Sequence, residues 1–443
     1  MRTKILSLSL IAAMGGLLLT SVPGQAETLS QFFGKSKIDG QIRAYYFSRD
    51  YGTSAVPHAN AFSLAGRLNI LTAPFLGGFH VGTSFYTANS LGTQSSDPSR
   101  IDKTLMGTGS SINTLGQAFI EYNQQLFTIR AGDQLINTPW LNRVGGRVIP
   151  VTYRGVYARF TPFDNLNLIG LRVDGWKSRT SNGFYRDNLY YPTSYNGDAL
   201  YGGPNNLPAN ASPSNGAVAF GAKYSIDQAK LHAWYYNFND FANMFYGSGQ
   251  YSFPTQNVFK PFAAAQFVRE WKANNAFSQT GTQLFGQTGE AVDSTAYGIK
   301  TGVSFSKGSI YWAYDTTRLH QGALGGGAIV SPYTVGYTAD PLYVDAMIQG
   351  LVGVGPGHGW RLRAAYWVCQ HKVKLTSGYS RFNTYFSGKS NWTHFSVTYF
   401  PGGRYQGLSL RDQVEVANGG LNLFPGSGEK SFVYNRVMVA YKF

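Results

Sequence analysis

The chain has 443 residues, 53 of them glycine and one cysteine, with 15% aromatic residues and a formal charge of +15. The lone thiol, Cys369, excludes an internal disulfide framework. Beyond residue 19 no apolar run approaches the ~18 residues of a membrane helix, which excludes a helical polytopic protein.

At the start, Arg2 and Lys4 precede the apolar run Ile5 to Leu19, and small residues lead to Gly24-Gln25-Ala26. A charged opening, a short apolar stretch and a small-residue site predict a signal peptide over 1–26, leaving one domain over 27–443. From there a two-residue period takes over. Ile38, Ile42 and Tyr46 oppose Asp39, Gln41, Arg43 and Tyr45, and Phe62, Leu64, Leu68 and Ile70 oppose Arg67 and Asn69. Val81 and Phe85 oppose His80 and Tyr86; Ile120 and Ile129 oppose Glu121 and Arg130. Ile169, Leu171 and Val173 read as an apolar face against Arg172 and Asp174. Phe220 opposes Lys223, Ile299 opposes Lys300, Leu362 and Tyr366 oppose Arg361 and Arg363, and Phe395 opposes His394.

Successive strand side chains point to opposite faces, so each run is a strand apolar on one side and charged on the other. Runs of about 9–11 residues suit tilted membrane strands. A soluble sandwich has the same period, but its inner face is packed with aliphatic side chains. Here that second face holds Arg, Lys, Glu and His, the inside-out pattern of a water-filled barrel. An open edge in lipid leaves backbone groups unpaired, so the sheet must close.

Residues 75–78, 123–125 and 162–165 read as tight turns. Residues 50–60, 88–114, 133–150, 176–215, 270–294, 318–342 and 371–390 read as long loops. At roughly 20–25 residues per strand with its share of loop, residues 27–443 hold 16–18 strands, 18 preferred. The expected fold is an all-β transmembrane antiparallel barrel with an inward-folded loop. That loop is 133–150. Trp140, Leu141, Val148, Ile149 and Pro150 are too apolar for a free outer loop, and packing them on the inner wall leaves Arg143 or Arg147 at the narrowest level. The last strand, Arg436 to Phe443, puts Val437, Val439, Tyr441 and Phe443 on one face and Arg436 and Lys442 on the other. The basic excess must then sit in the lumen or loops, where it attracts anions.

The stretch Arg147-Val148-Ile149-Pro150-Val151-Thr152-Tyr153-Arg154-Gly155 is similar to a segment of the OprD-type porins. Residues 38–51 resemble that family's first strand, and 353–363 resemble a late turn-and-strand segment. The final Phe443 resembles the signal read by the barrel assembly machinery. The resemblance implies an 18-stranded channel of the bacterial outer membrane, seated in its lipid. It would pass small solutes that often carry a carboxylate, with an arginine ladder on the lumen wall and constriction loops three and seven. Loop seven maps loosely onto 270–294. Parity supplies the ladder: Arg43, Arg67, Arg130, Arg361, Arg363 and Arg436 fall on the non-lipid face. Each could instead pair with a lumen acid such as Asp39, Glu121 or Asp174. Asp315, Asp340 and Asp345 form a possible balancing wall.

Seven histidines without metal spacing, and Gly353–Gly359 with no helix after it, give no cofactor or metal site. That glycine-rich stretch reads as a hairpin turn. A nucleic-acid partner is not expected. The runner-up is a sugar, nucleoside or general diffusion pore lined by Tyr45, Tyr86, Tyr311 and His80. A barrel hydrolase and a non-conducting anchor are the competing classes.

Overall fold

A computed structural model describes residues 34–190, 207, 215–273, 283–289, 291–335, 339–419 and 430–443. The signal-peptide reading over 1–26 lies outside the described residues. The alternating runs become one antiparallel sheet of eighteen strands. In order these are β1 (Lys37–Asp50), β2 (Ala59–Leu71), β3 (Phe79–Asn89), β4 (Ser111–Asn123), β5 (Phe127–Gln134) and β6 (Thr152–Phe163). There follow β7 (Leu166–Lys177), β8 (Ala217–Ile226), β9 (Ala229–Phe238), β10 (Ala242–Ser252), β11 (Lys260–Lys272) and β12 (Asp293–Phe305). The last six are β13 (Gly308–Thr317), β14 (Gly357–Val368), β15 (Val373–Thr384), β16 (Gly388–Tyr399), β17 (Leu408–Gly419) and β18 (Phe432–Lys442).

Each strand pairs with its chain neighbours, and β1 pairs with both β2 and β18, so no edge is left open. The Phe443 backbone completes the seam, exchanging hydrogen bonds of 2.9 and 3.1 Å with Gly40. At the end where β1 starts and β18 finishes the links are short: 72–78, 124–126, 164–165, 227–228, 253–259, 306–307, 369–372 and 400–407. The other end carries the long ones, among them 90–110, 135–151, 178–216, 273–292 and 318–356. Around the wall, Ile42, Val81, Ile120, Phe220, Ile299, Leu362, Phe395 and Val439 are exposed. Apolar side chains facing out on every side of a closed sheet fit hydrocarbon as the surrounding medium. A barrel of this strand number encloses a lumen that side chains alone do not fill.

Four readings of the sequence need correction. Residues 371–390 are not a long loop: they form β15 and the start of β16, joined by the short link 385–387. Ser377, Arg381 and Asn383 interrupt the outer face of Val373, Leu375 and Tyr379 there and hide its period. The face of β7 is also reversed. Ile169, Leu171 and Val173 are buried, paired with Arg159, Tyr157 and Gly155, while Arg172 and Asp174 lie on the outer face. Asp174 is therefore no lumen acid. A register shift at Arg154/Gly155 accompanies this, and Arg154 holds Asp133 at 2.8 and 3.1 Å on the outside near the loop-side rim. Charge is tolerated at a wet rim, so both faces of β7 are mixed and parity alone does not orient it. Counting strands, the seventh outer link is 318–356, not 270–294, and it runs well past the expected end at residue 342. Its last residues include Gly353–Gly355, which end a long loop rather than make a hairpin turn.

One buried ion pair fixes the link 90–110. Arg49 donates from Nε to Asp102 at 3.1 Å and from Nη2 to Thr104 and Tyr434, and its guanidinium lies 4.3 Å from the centre of the Tyr434 ring. Burial pushes the Asp102 carboxyl up, but Arg49 and the Thr104 hydroxyl outweigh this and hold it below the usual carboxylate range. A depressed carboxyl contributes stability at neutral pH and loses it as pH falls through the folded pKa. Asp102→Asn leaves Arg49 buried and unpaired, at a cost of about 3–5 kcal/mol. A lowered thermal midpoint at pH 7, with the gap from wild type closing in acid, is the expected result.

Candidate functional site: a basic lumen crossed by two loops

Loop 135–151 lies inside the barrel. The proline pair and Gly145-Gly146 keep it out of strand conformation, and its apolar side chains find the inner wall. Trp140, Leu141, Val148 and Ile149 are buried, as are Arg147 and Pro150. The Trp140 amide donates to the Tyr236 hydroxyl, and its ring meets Tyr246 edge-on at 6.4 Å. Tyr153 donates to the Asn142 carbonyl at 2.9 Å, and Lys177 to that of Pro150 at 3.3 Å. Arg147 donates to the Thr104 carbonyl at 3.1 Å with its guanidinium over Phe47 at 5.3 Å. Arg143 is exposed.

Loop 318–356 comes in from the opposite wall. Three inward carboxylates hold its backbone. Glu270 on β11 accepts from Val330 N–H at 2.8 Å. Asp315 on β13 accepts from Val344 N–H at 2.6 Å and from Gln266 at 2.8 Å. Glu415 on β17 takes Met347 N–H on both oxygens, at 2.9 and 2.7 Å. All three side chains are fully buried. Asp345 pairs with Arg361, and Ser380 donates to the Asp345 carbonyl at 2.9 Å. The loops meet where Asn142 donates to the Ala339 carbonyl.

Within this loop, burial pushes the Asp340 carboxyl up to about 6, against the Leu342 N–H that favours its charged form. A carboxyl raised in the folded state contributes most below its unfolded pKa and loses that contribution as pH rises through 6. Amide protection in 318–356, corrected for intrinsic exchange, is expected to fall between pH 4 and 6. Asp340→Asn removes that step; a variant still showing it would place the titration elsewhere.

The sequence-derived arginines separate into two groups. Arg130 donates to Glu121 from Nε at 2.7 Å and stacks on Phe119 at 4.3 Å, so it is paired. Arg361 is tied to Asp345. Arg436 is buried, with its guanidinium 4.9 Å from the Phe47 ring and 4.3 Å from Tyr434. Arg43, Arg67 and Arg363 remain partly open to the lumen. Arg43 reaches the Arg147 carbonyl and feels the charges of Arg67, Arg143 and Arg411. Arg411, exposed on β17 and in register with inward Met438, went unread in the sequence. Its signal was the alternation of Leu408, Leu410 and Val414 against Ser409, Arg411 and Gln413. Among the described residues, none of Arg43, Arg67, Arg143, Arg363 and Arg411 has a carboxylate within ion-pair distance. Arg363, Arg411, Arg43 and Arg67 stand on β14, β17, β1 and β2, within one continuous arc β14-β15-β16-β17-β18-β1-β2, and Arg143 on loop 135–151 lies within electrostatic reach of Arg43.

Residues 30–321 match the model of the outer membrane porin, OprD family. Pseudomonas aeruginosa OccK9 (OpdG) superposes with a TM-score of 0.74 at 15% identity, over 93% of this chain and 99% of that one. Pseudomonas aeruginosa OpdK with vanillate gives 0.69 at 16% identity, and OccK2 (OpdF) in complex with glucuronate, from the same organism, 0.70 at 14%, both with the same coverage. No curated protein matches the chain. The structural likenesses carry the fold, and the family match, over well more than half of the sequence, carries membership. Family and fold are those of channels rather than enzymes. The chain thus belongs to the OprD family of outer-membrane porins, closed eighteen-stranded barrels through which small solutes diffuse.

Proposed function

We propose that this porin favours small anionic solutes, above all carboxylates, and that loops 135–151 and 318–356 set its narrowest level. The observation that carries the reading is the guanidinium set Arg43, Arg67, Arg363 and Arg411 on one arc of wall, with Arg143 of the inward loop beside Arg43, none with an acidic partner among the described residues. A guanidinium stays charged and holds a carboxylate through two parallel bonds. A row of such sites binds well enough to admit an anion and lets it step onward. In this reading Trp140 and Pro150 seat the loop, and Arg143 borders the opening beside Arg43. Arg147 and Arg436 support the wall through Phe47. Arg130 and Arg361, taken by Glu121 and Asp345, shape the lumen rather than meet solutes. Vanillate and glucuronate, named with two of the neighbours, are both carboxylates, which fits.

The same proposal seats the apolar outer wall in outer-membrane lipid and has the assembly machinery read Phe443, whose exposed ring stacks beside Tyr441 at 6.3 Å. Residues 1–26 would be removed as a leader. Liposome swelling tests the solute preference. Glucuronate is expected to enter faster than glucose despite its greater mass. Equal rates for charged and neutral solutes would point to a general diffusion pore instead.

A further inference from the structure

β8 and β17 are nine steps apart in a ring of eighteen strands, so they face each other across the lumen. Within the arginine arc, Arg411 on β17 stands three residues from the strand's turn-side end at Leu408. The wall opposite is also basic. Lys223 on β8 stands directly across the register from His232 on β9, and Lys230 across from Ser225. All three point inward at the turn-side end, close to Ile226 and Ala229. Lys230 is exposed and Lys223 half-buried, its Nζ 5.7 Å from the centre of the Trp234 ring. That ring lies flat on Gly221, where a Cβ would come within 2.3 Å of it, so Lys223 is propped toward the lumen. His232 lies within electrostatic reach of both lysines. Strands β8, β9 and β10 contain no Asp or Glu, and none of the three residues has an acidic partner among the described residues.

We propose that Lys223, Lys230 and His232 form a second anion station, across from Arg411 at the short-turn mouth, the periplasmic end of an outer-membrane barrel, that takes small carboxylates as they leave the arginines. This rests on the anion-favouring reading above and adds the place and manner of release. An ammonium is a compact point charge without the planar fork of a guanidinium, so it holds a carboxylate more loosely. A looser station after tighter ones favours exit, since conduction needs sites from which the ion can leave. Positive charge on both sides of the mouth also excludes cations there more strongly than a one-sided arc.

The test uses the full-length porin in planar bilayers with benzoate as the probe, added to one compartment at a time at low salt. Cys369, an exposed lone thiol in the turn 369–372, identifies the periplasmic side when an impermeant maleimide is added. Lys223→Gln with Lys230→Gln is expected to lower the association rate of benzoate from the periplasmic side about fivefold or more. From the other side it should stay within about twofold, because the arginine arc is intact. Lys223→Arg with Lys230→Arg should restore the periplasmic rate and shows that the barrel tolerates change at both positions. An equal loss from both sides, or none from the periplasmic side, overturns the station while leaving the arginine reading standing. Wild-type porin that ignores benzoate from both sides overturns that reading, and the station with it.

Discussion

Replacing Glu415 by Ala, together with Asp315→Ala and Glu270→Ala, is expected to raise single-channel conductance at least about twofold and to make the open state noisy. The three carboxyl groups accept hydrogen bonds from three backbone N–H groups of loop 318–356, that of Met347 shared between both Glu415 oxygens, and all are buried in the wall. Leaving a buried backbone N–H without its acceptor costs about 1–3 kcal/mol. Removing the carboxyl groups leaves the loop amides without their partners inside the barrel, and the loop gains by moving toward water. The single substitution Glu415→Ala should have the largest effect of the three, because it frees Met347, two residues from Asp345 in its pair with Arg361. Conductance unchanged in the triple variant would mean that the loop is held by its apolar contacts alone, or that it does not limit the pore.

Neutralising Arg43, Arg67, Arg363 and Arg411 to Gln should cut benzoate influx into proteoliposomes about tenfold while leaving glucose entry nearly unchanged. Glutamine keeps polarity and much of the volume, so the missing quantity is charge. Arg361 belongs to a different experiment. Its guanidinium is occupied by Asp345, so Arg361→Ala is expected to act like the loss of a loop tether, with increased current noise and little change in selectivity. A selectivity change from Arg361→Ala as large as that from Arg363→Ala would contradict the division of the arginines drawn here.

Much of the barrel was legible because a two-residue period with charge on one face has few other physical solutions. The facing of Arg43, Arg67, Arg361, Arg363 and Arg436 followed from parity with Ile42, Leu68, Leu362 and Val437, and the structure places them so. Parity failed where both faces are mixed. Ile169, Leu171 and Val173 turn inward because the lumen is filled there by packed loop residues, which accept apolar neighbours as readily as lipid does. The strand at 373–384 was read as loop because Ser377, Arg381 and Asn383 break its apolar face. Arg411 and Glu415 went unread in a stretch whose outer face includes Asp412, bonded to Asn435 at 2.9 Å.

The placement of loop 135–151 was legible in part. Trp140, Leu141, Val148 and Ile149 are too costly to leave in water, and burial follows from composition alone. What holds loop 318–356 was not legible. Its partners Glu270, Asp315 and Glu415 come from β11, β13 and β17, and only barrel closure brings them to one loop. Nor could Asp345 be matched to Arg361, or Glu121 to Arg130, without knowing how the loop returns and how neighbouring strands register. Which arginines are unpaired is therefore a result of tertiary structure, while the number available was in the composition.

The most direct measurement is the zero-current potential of the purified porin in a planar bilayer under a potassium chloride gradient at low ionic strength. There the screening length approaches about 30 Å and the fixed charges act across the lumen. A potential of the sign set by chloride is predicted, shrinking as salt is raised. A potential of the sign set by potassium would contradict the basic lumen as the basis of selection.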